Sequence, residues 1–437
     1  MERLIFKKLE QWKLSTNRKP LVVRGARQVG KTWLMKEFGS KSYNRMVYIN
    51  FESAKNLTNL FASDYNTTRI INAIEIEIGL QIDAENTLII FDEIQACKGA
   101  ITSLKYFCED SPQYHIVAAG SLLGVAMHPK TSFPVGKVDF MDVYPMTFAE
   151  FLLAMNMKSL FDLIQANDWE MIATFKAKLT ELLRLYYFVG GMPEVLLSYI
   201  TSKDLVAVRS IQHKILDAYQ QDFSKHAPAD IVPRIRLIWQ SIPVQLSKEN
   251  KKFVYGLIKQ GARAKEFEMA MTWLIDAGLL HKVYRISKPA IPLVSYLDPS
   301  AFKLYFLDVG LLAAMGEIDA RTLLVGNAIF EEFKGAMAEQ YVLQQLKTKD
   351  YLPIFYWSTE KSTAEIDFVI QIAGQIVPIE VKAAENLQAK SLKSFHAKFE
   401  SINSIRCSLS DFRQDDWLTN VPLYSIDSYV NNLRSDL

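Results

Sequence analysis

One run of eight residues limits what this chain can fold into more than any other feature. Leu21-Val22-Val23-Arg24 leads into Gly25-Ala26-Arg27-Gln28-Val29-Gly30-Lys31-Thr32, followed by Trp33-Leu34-Met35-Lys36-Glu37-Phe38-Gly39. An apolar run of strand length, a Gly-x-x-x-x-Gly-Lys-Thr loop and a helical stretch closed by glycine make the pattern of a phosphate-binding loop. Each part has a chemical reason. The glycines let the backbone curl so that successive N–H groups face phosphate oxygens, and the helix N-terminus adds partial positive charge. Lys31 is placed to reach the β- and γ-phosphates of a nucleotide, and the Thr32 hydroxyl to ligate Mg²⁺. Gly25, Ala26, Arg27, Gln28, Val29, Gly30 and Trp33 complete the expected nucleotide-binding set.

A second element follows at Thr87-Leu88-Ile89-Ile90-Phe91-Asp92-Glu93. An apolar strand ending in two carboxylates suits Asp92 to hold the Mg²⁺ shell and Glu93 to orient and polarise the attacking water. Further strand-length runs at Met46–Phe51, Ile116–Ala119 and Lys137–Tyr144, separated by helical stretches, predict a parallel sheet covered on both faces. Because Met46–Phe51 lies between the two motifs, the order resembles the additional-strand P-loop class, an AAA/RecA-like α/β sheet. No Asn-Lys-x-Asp guanine motif is present, so ATP is expected over GTP.

Two other positions bear on the nucleotide. Ser121 follows the strand His115–Gly120, where it either touches the γ-phosphate or caps a turn. Gly190-Gly191-Met192-Pro193 resembles the Gly-x-Pro lid motif of signal-transducing ATPases, with Pro193 beside the adenine, or else is a helix-breaking turn.

At 437 residues, with 49% hydrophobic and 22% charged residues, the chain is expected to form several packed domains rather than long disorder. The expected division is a P-loop core at 1–147, a helical lid at 148–227, a winged-helix-like segment at 228–320 and a C-terminal domain at 321–437. A formal charge of +2 marks neither a nucleic-acid nor a membrane binder globally. Cys97, Cys108 and Cys407 are scattered, which argues against a disulfide framework or a zinc site. The N-terminus lacks the apolar core of a signal peptide, and no uncharged run has spanning length, so a cytoplasmic location without membrane contact is expected. Residues 1–18 read as an amphipathic helix with Ile5, Leu9 and Trp12 on one face.

Between Pro228 and Lys288 there are eleven Lys/Arg against five Asp/Glu. Residues 251–286 read as a helix, a break at Gly261, a second helix over Lys265–Ala277 and a strand over Leu279–Ile286. That order resembles a winged helix, and its charge suits DNA. The apolar side of the second helix (Phe267, Met271, Leu274, Ile275) is a packing face, so a solvated or protein-docking face is an equal reading.

In the last segment, Glu339 lies on a helix, Asp367 in the strand Glu365–Ile372, and Glu380 and Lys382 in the next strand. A turn at Gly374 pairs the two strands, making Asp367 and Glu380 cross-strand neighbours, while alternation puts Glu380 and Lys382 on one face. Carboxylates and a lysine among Val and Ile are costly to bury without a purpose. Asp367 and Glu380 can bind a divalent metal while Lys382 steadies a nucleophilic water. With Glu339 upstream, this resembles the restriction-endonuclease-like core.

Six ordered blocks together resemble one family. They are the P-loop, Phe91-Asp92-Glu93-Ile94-Gln95, Tyr144-Pro145-Met146-Thr147-Phe148-Ala149-Glu150-Phe151, Gly190-Gly191-Met192-Pro193-Glu194-Val195, Lys303-Leu304-Tyr305-Phe306-Leu307-Asp308-Val309-Gly310-Leu311 and Glu380-Val381-Lys382-Ala383-Ala384-Glu385-Asn386. The chain looks like the prokaryotic AAA-type ATPases with a C-terminal restriction-endonuclease-like domain of unknown function. The resemblance implies an ATPase core, a helical lid, a winged-helix middle and a nuclease-like end. Where that family commonly has Gly-Arg before the fifth strand, this chain has Gly136-Lys137; lysine keeps the charge but loses the planar fork, which gives Arg27 more weight. The expected activity is ATP hydrolysis controlling a DNA-binding or DNA-cleaving C-terminal half. The alternative is a non-nucleolytic switch that docks a protein partner.

Overall fold

The computed structural model describes residues 1–63, 65–120, 134–248, 251–325, 331–359, 364–385, 389–399 and 402–435. Ser121 therefore lies outside the described residues. Two compact units result, one of Glu2–Tyr144 with Asp276–Gly278, the other of Pro145–Ile275 with Leu279–Leu437.

In the first unit, β1 (Leu21–Arg24), β2 (Arg45–Asn50), β3 (Thr87–Asp92), β4 (His115–Ala119) and β5 (Asp139–Asp142) form one parallel sheet in the order β2-β3-β4-β1-β5. This is the P-loop α/β fold, and β4 is the additional strand that separates the two motif-bearing strands. Every residue of β3 and β4 is buried, as a sheet covered by helices on both faces requires. One face packs Ile70, Ile74, Ile101, Leu104 and Phe107 from helices Thr67–Ile78 and Lys98–Asp110 against Ile49, Ile89 and Phe91.

The N-terminal helix is shorter than its periodicity predicts, running only Phe6–Leu14. Leu9 and Trp12 are buried as expected, but the Trp12 indole N–H donates to the Lys19 carbonyl at 2.9 Å and the Arg18 guanidinium to the Lys13 carbonyl at 2.9 Å. Those two bonds turn the chain back toward β1.

In the second unit, helices between Phe148 and Leu246 accompany an eight-stranded mixed sheet. Its strands are β6 (Leu280–Ile286), β7 (Leu297–Phe306), β8 (Ile354–Ser358), β9 (Glu365–Ile372), β10 (Gln375–Val381), β11 (Ser404–Ser408), β12 (Arg413–Gln414) and β13 (Leu418–Pro422). Their order is β12-β13-β11-β10-β9-β8-β6-β7, so one sheet runs across position 320. The segments on either side of 227 and 320 also interlock through side chains. The Phe148 amide donates to Gln345 Oε1 at 2.9 Å, and Trp169 stacks on Phe412 at a ring separation of 4.1 Å.

The helix expected just after 251 is absent; only a 3-10 turn forms, at Tyr255–Leu257. Tertiary contacts override local propensity there. The Phe253 amide donates to the Phe302 carbonyl at 2.8 Å, and the two rings stack. The second helix forms over Ala264–Asp276 and buries Phe267, Ala270, Met271, Trp273 and Leu274. Across the β9–β10 hairpin, Ala373 and Gly374 both take positive φ (49° and 76°), the conformation a two-residue hairpin turn needs.

Candidate functional site: a P-loop joined to an acidic strand end

Residues 25–32 link β1 to the helix Lys31–Ser42, whose N-cap is Gly30 at φ 93°. Gly25 is required sterically, because a Cβ there would fall 2.2 Å from the Val143 carbonyl oxygen. Lys31 is buried, and its ammonium donates to the carbonyls of Gly25 (2.9 Å) and Ala26 (2.7 Å). Burial lowers its pKa to about 8 against the opposing pull of Glu93 and Asp92. Trp33, next in the helix, is 42% exposed.

The second motif meets the first side chain to side chain. Thr32 Oγ1 donates to Asp92 Oδ2 at 2.8 Å, and the Tyr48 hydroxyl donates to the same oxygen at 2.8 Å. Asp92 Oδ1 accepts the Glu93 amide at 3.0 Å. A hydroxyl and a carboxylate, both oxygen donors and already adjacent, fit the chemistry of a Mg²⁺ site. Among the described residues no group of three or more His, Cys, Asp and Glu is arranged to hold a metal, so other donors would have to come from nucleotide and water.

Glu93 occupies the left-handed region at φ 49°, uncommon for a residue with a Cβ. Such backbone costs on the order of 1 kcal/mol or more and concentrates at functional positions. Its carboxylate accepts from Gln95 Nε2 at 2.5 Å, which fixes its direction.

Three residues of this site carried no clear signal in the sequence. Tyr48 reads as an ordinary strand residue, yet its hydroxyl reaches Asp92, and burial followed by that bond pushes its pKa up to about 12. Arg3, 6% exposed, donates to the Val29 carbonyl at 2.9 Å and the Tyr144 carbonyl at 2.7 Å, fastening the P-loop to the chain after β5. Gly278, from the three later residues of this unit, lies against the loop, where a Cβ would sit 3.1 Å from the Ala26 nitrogen. Lys137 pairs with Glu109 at 2.8 Å.

In the second unit, Pro193 opens the helix Pro193–Ser202, a position suited to its fixed φ and missing N–H. The preceding glycines have a packing role. A Cβ on Gly191 would meet the Met146 carbonyl at 2.1 Å, and one on Gly190 would meet Asp308 at 2.2 Å. Asp308, fully buried, accepts the Gly191 amide at 2.7 Å, the Leu311 amide at 3.0 Å and Gln344 Nε2 at 3.0 Å. The Gly-Gly-Met-Pro and Leu-Asp-Val-Gly blocks are thus two halves of one junction.

The C-terminal acids are brought together in part. Glu339 accepts from Lys251 and, at 3.1 Å, from the Tyr305 hydroxyl. Asp367 Oδ2 accepts the Val381 amide at 2.8 Å. Lys303, wholly buried, pairs with Glu365 and lies 3.8 Å from Glu339 and 3.9 Å from Asp367. Burial and neighbouring Glu339 push the Asp367 carboxyl up, to about 8. Lys382 Nζ pairs with Glu380 Oε1 at 2.8 Å, while Glu380 Oε2, buried, has no hydrogen-bond partner among the described residues. Lys251 carries no signal in the sequence, and Lys303, which opens one of the six blocks, stands out only as an isolated lysine in the apolar run Ala301-Phe302-Lys303-Leu304-Tyr305.

Family models match three segments of the chain. Residues 17–152 match the AAA domain model, residues 180–322 a domain of unknown function (DUF8612), and residues 334–426 another domain of unknown function (DUF4143). The first segment is an AAA-type P-loop domain. No curated protein matches the chain. Among solved structures, a Walker-type ATPase of Pyrococcus abyssi is 14% identical, with a TM-score of 0.45, covering 71% of this chain and 94% of its own. The Aeropyrum pernix ORC1 protein, solved in complex with DNA, is 10% identical, with a TM-score of 0.27, covering 72% and 90%. PCH-2 of C. elegans is 14% identical, with a TM-score of 0.24, covering 36% and 46%. Among the described residues no helix is long and apolar enough to cross a membrane.

Proposed function

We propose that this chain is a Mg²⁺-dependent ATPase whose nucleotide cycle governs the second unit. The observation that carries the reading is the contact of Thr32 with Asp92, which puts the two oxygen donors a nucleotide-bound Mg²⁺ needs at one point beside Lys31. When bound there, Mg²⁺ would supply electrostatic neutralisation of the phosphate oxygens. Lys31 would exchange the Gly25 and Ala26 carbonyls for the β- and γ-phosphates. The P-loop amides and Trp33 would hold the nucleotide, and Arg27 would add positive charge near the transferred group. Glu93 would orient the attacking water and take its proton, its direction set by Gln95. Ser121 as a γ-phosphate contact and Pro193 beside the adenine belong to the same proposal. Loss of ATP binding in Lys31→Ala, with the fold intact by circular dichroism, tests it; unchanged binding in that variant counts against it.

For the output of the cycle there are two readings. In the first, the C-terminal segment is nuclease-like and acts on DNA, with Asp367 and Glu380 as metal ligands, Lys382 beside the water, Glu339 as the preceding helical acid and the basic winged-helix-like segment as DNA contact. Glu380 Oε2, without a partner among the described residues, supports it, since a buried carboxylate oxygen without a donor is suited to a cation. In the second, the output is non-nucleolytic and a protein partner docks on the second unit. The ammonium groups already paired with Glu339 and Glu365 support that one. Plasmid incubated with the protein in Mn²⁺ separates them: nicking lost in Glu380→Ala favours the first, and intact DNA with wild type and variant alike favours the second.

A further inference from the structure

The C-terminal acidic cluster holds its own cation. Glu339, from the helix Glu331–Lys347, and Glu365 and Asp367, both from β9, converge on the ammonium of Lys303 from β7. Lys251 closes the other side of Glu339. The four carboxylate oxygens of Glu339 and Asp367 face, in turn, Lys251, the Tyr305 hydroxyl, Lys303 and the Val381 amide. A divalent ion at this point would need at least two of those oxygens at roughly 2.0–2.6 Å in place of their present partners. Neither lysine sits on a free end. Lys303 is in the interior of a strand with residues on both sides buried, and Lys251 is two residues from the Phe253–Phe302 backbone bond. The residues present therefore do not fit a resident metal at Glu339 and Asp367, whatever the neighbouring Glu380 does.

We infer that Lys303, aided by Lys251, replaces a divalent cation in this cluster, and that the cluster accepts such an ion only when the lysine is taken away. Deprived of their ammonium, these buried carboxylates would repel one another, and a divalent ion that competes with protons for their oxygens would relieve that. The lysine thereby makes the C-terminal fold independent of metal and joins β7, the helix Glu331–Lys347 and β9 by charge. This inference speaks against Asp367 as a metal ligand in the first of the two readings above; it concerns the C-terminal cluster alone and does not depend on ATP hydrolysis.

The experiment is Mn²⁺ binding to the full chain without nucleotide, followed by electron paramagnetic resonance, for wild type, Lys303→Met and Lys303→Met with Asp367→Asn. The expected result is no site tighter than about millimolar in wild type, at least roughly tenfold tighter binding in Lys303→Met, and loss of that gain in the double variant. Tight binding by wild type that disappears in Asp367→Asn overturns the inference, and so does Lys303→Met indistinguishable from wild type. If Lys303→Met does not fold, Lys251→Met carries the same comparison: tighter Mn²⁺ binding supports the inference, and unchanged binding overturns it.

Discussion

Thr32 Oγ1 lies 2.8 Å from Asp92 Oδ2, so the residue after the P-loop lysine and the last residue of β3 share one hydrogen bond although another strand, β4, separates their strands in the sheet. Asp92 is held on two further sides, by the Tyr48 hydroxyl and by the Glu93 amide. The carboxylate is therefore oriented by the protein's own groups, which under the proposed function would lower the cost of organising it during the reaction.

Tyr48→Phe removes one of those bonds while keeping the ring, which the Lys36 ammonium approaches at 3.7 Å. Asp92 should become less well oriented but keep its charge. The expected effect is a higher Mg²⁺ concentration for half-maximal hydrolysis and a loss of about 1 kcal/mol, roughly fivefold, in turnover at limiting Mg²⁺. Mg²⁺ titrations of wild type and variant check it.

The lowered pKa of Lys31 gives ATP binding a pH dependence. In the free protein the ammonium titrates at about 8, and bound phosphates raise that value. Well below pH 8 the lysine is charged before and after binding, so affinity is flat. Near pH 8 and above, binding must take up a proton, so affinity falls; between pH 8 and 9 the fall is roughly fivefold. Calorimetric titrations of a non-hydrolysable ATP analogue across pH 7–9.5 measure it, and in two buffers of different ionisation enthalpy they also show the proton uptake.

Gly310→Ala tests the junction in the second unit. The added Cβ would meet the Gly190 nitrogen at 2.5 Å and its Cα at 2.6 Å, both backbone atoms that cannot rotate away. A destabilisation of about 1–3 kcal/mol is expected. Urea unfolding monitored by tryptophan fluorescence reads it as a lower midpoint.

Much of the first unit is legible in the sequence because its signals are local. The P-loop spacing, the apolar strand ending at Asp92-Glu93 and the alternation of strand and helix all lie within short windows, and the parallel order follows from them. The Gly374 hairpin is legible for the same reason. What escapes such reading depends on partners far apart in the chain. Tyr48 looks like any strand tyrosine until β2 is placed beside β3. Arg3 is a charged residue near the N-terminus whose two acceptors lie 26 and 141 positions away. Lys303 and Lys251 become members of an acidic cluster only through the β6–β7 hairpin joining the C-terminal sheet. The missing helix after 251 fails for a related reason, since the bond from Phe253 to Phe302 decides against local propensity.

The most direct test of the ATPase claim is single-turnover ATP hydrolysis by wild type and Glu93→Gln in Mg²⁺, with nucleotide affinity measured in parallel and with linear and supercoiled DNA present or absent. The predicted result is hydrolysis by wild type, retained ATP affinity in Glu93→Gln, and turnover lower in that variant by about 10²–10⁴-fold. Equal hydrolysis by the two proteins would contradict the role of Glu93, and a wild type that binds Mg²⁺ and ATP without hydrolysing it would contradict the account itself.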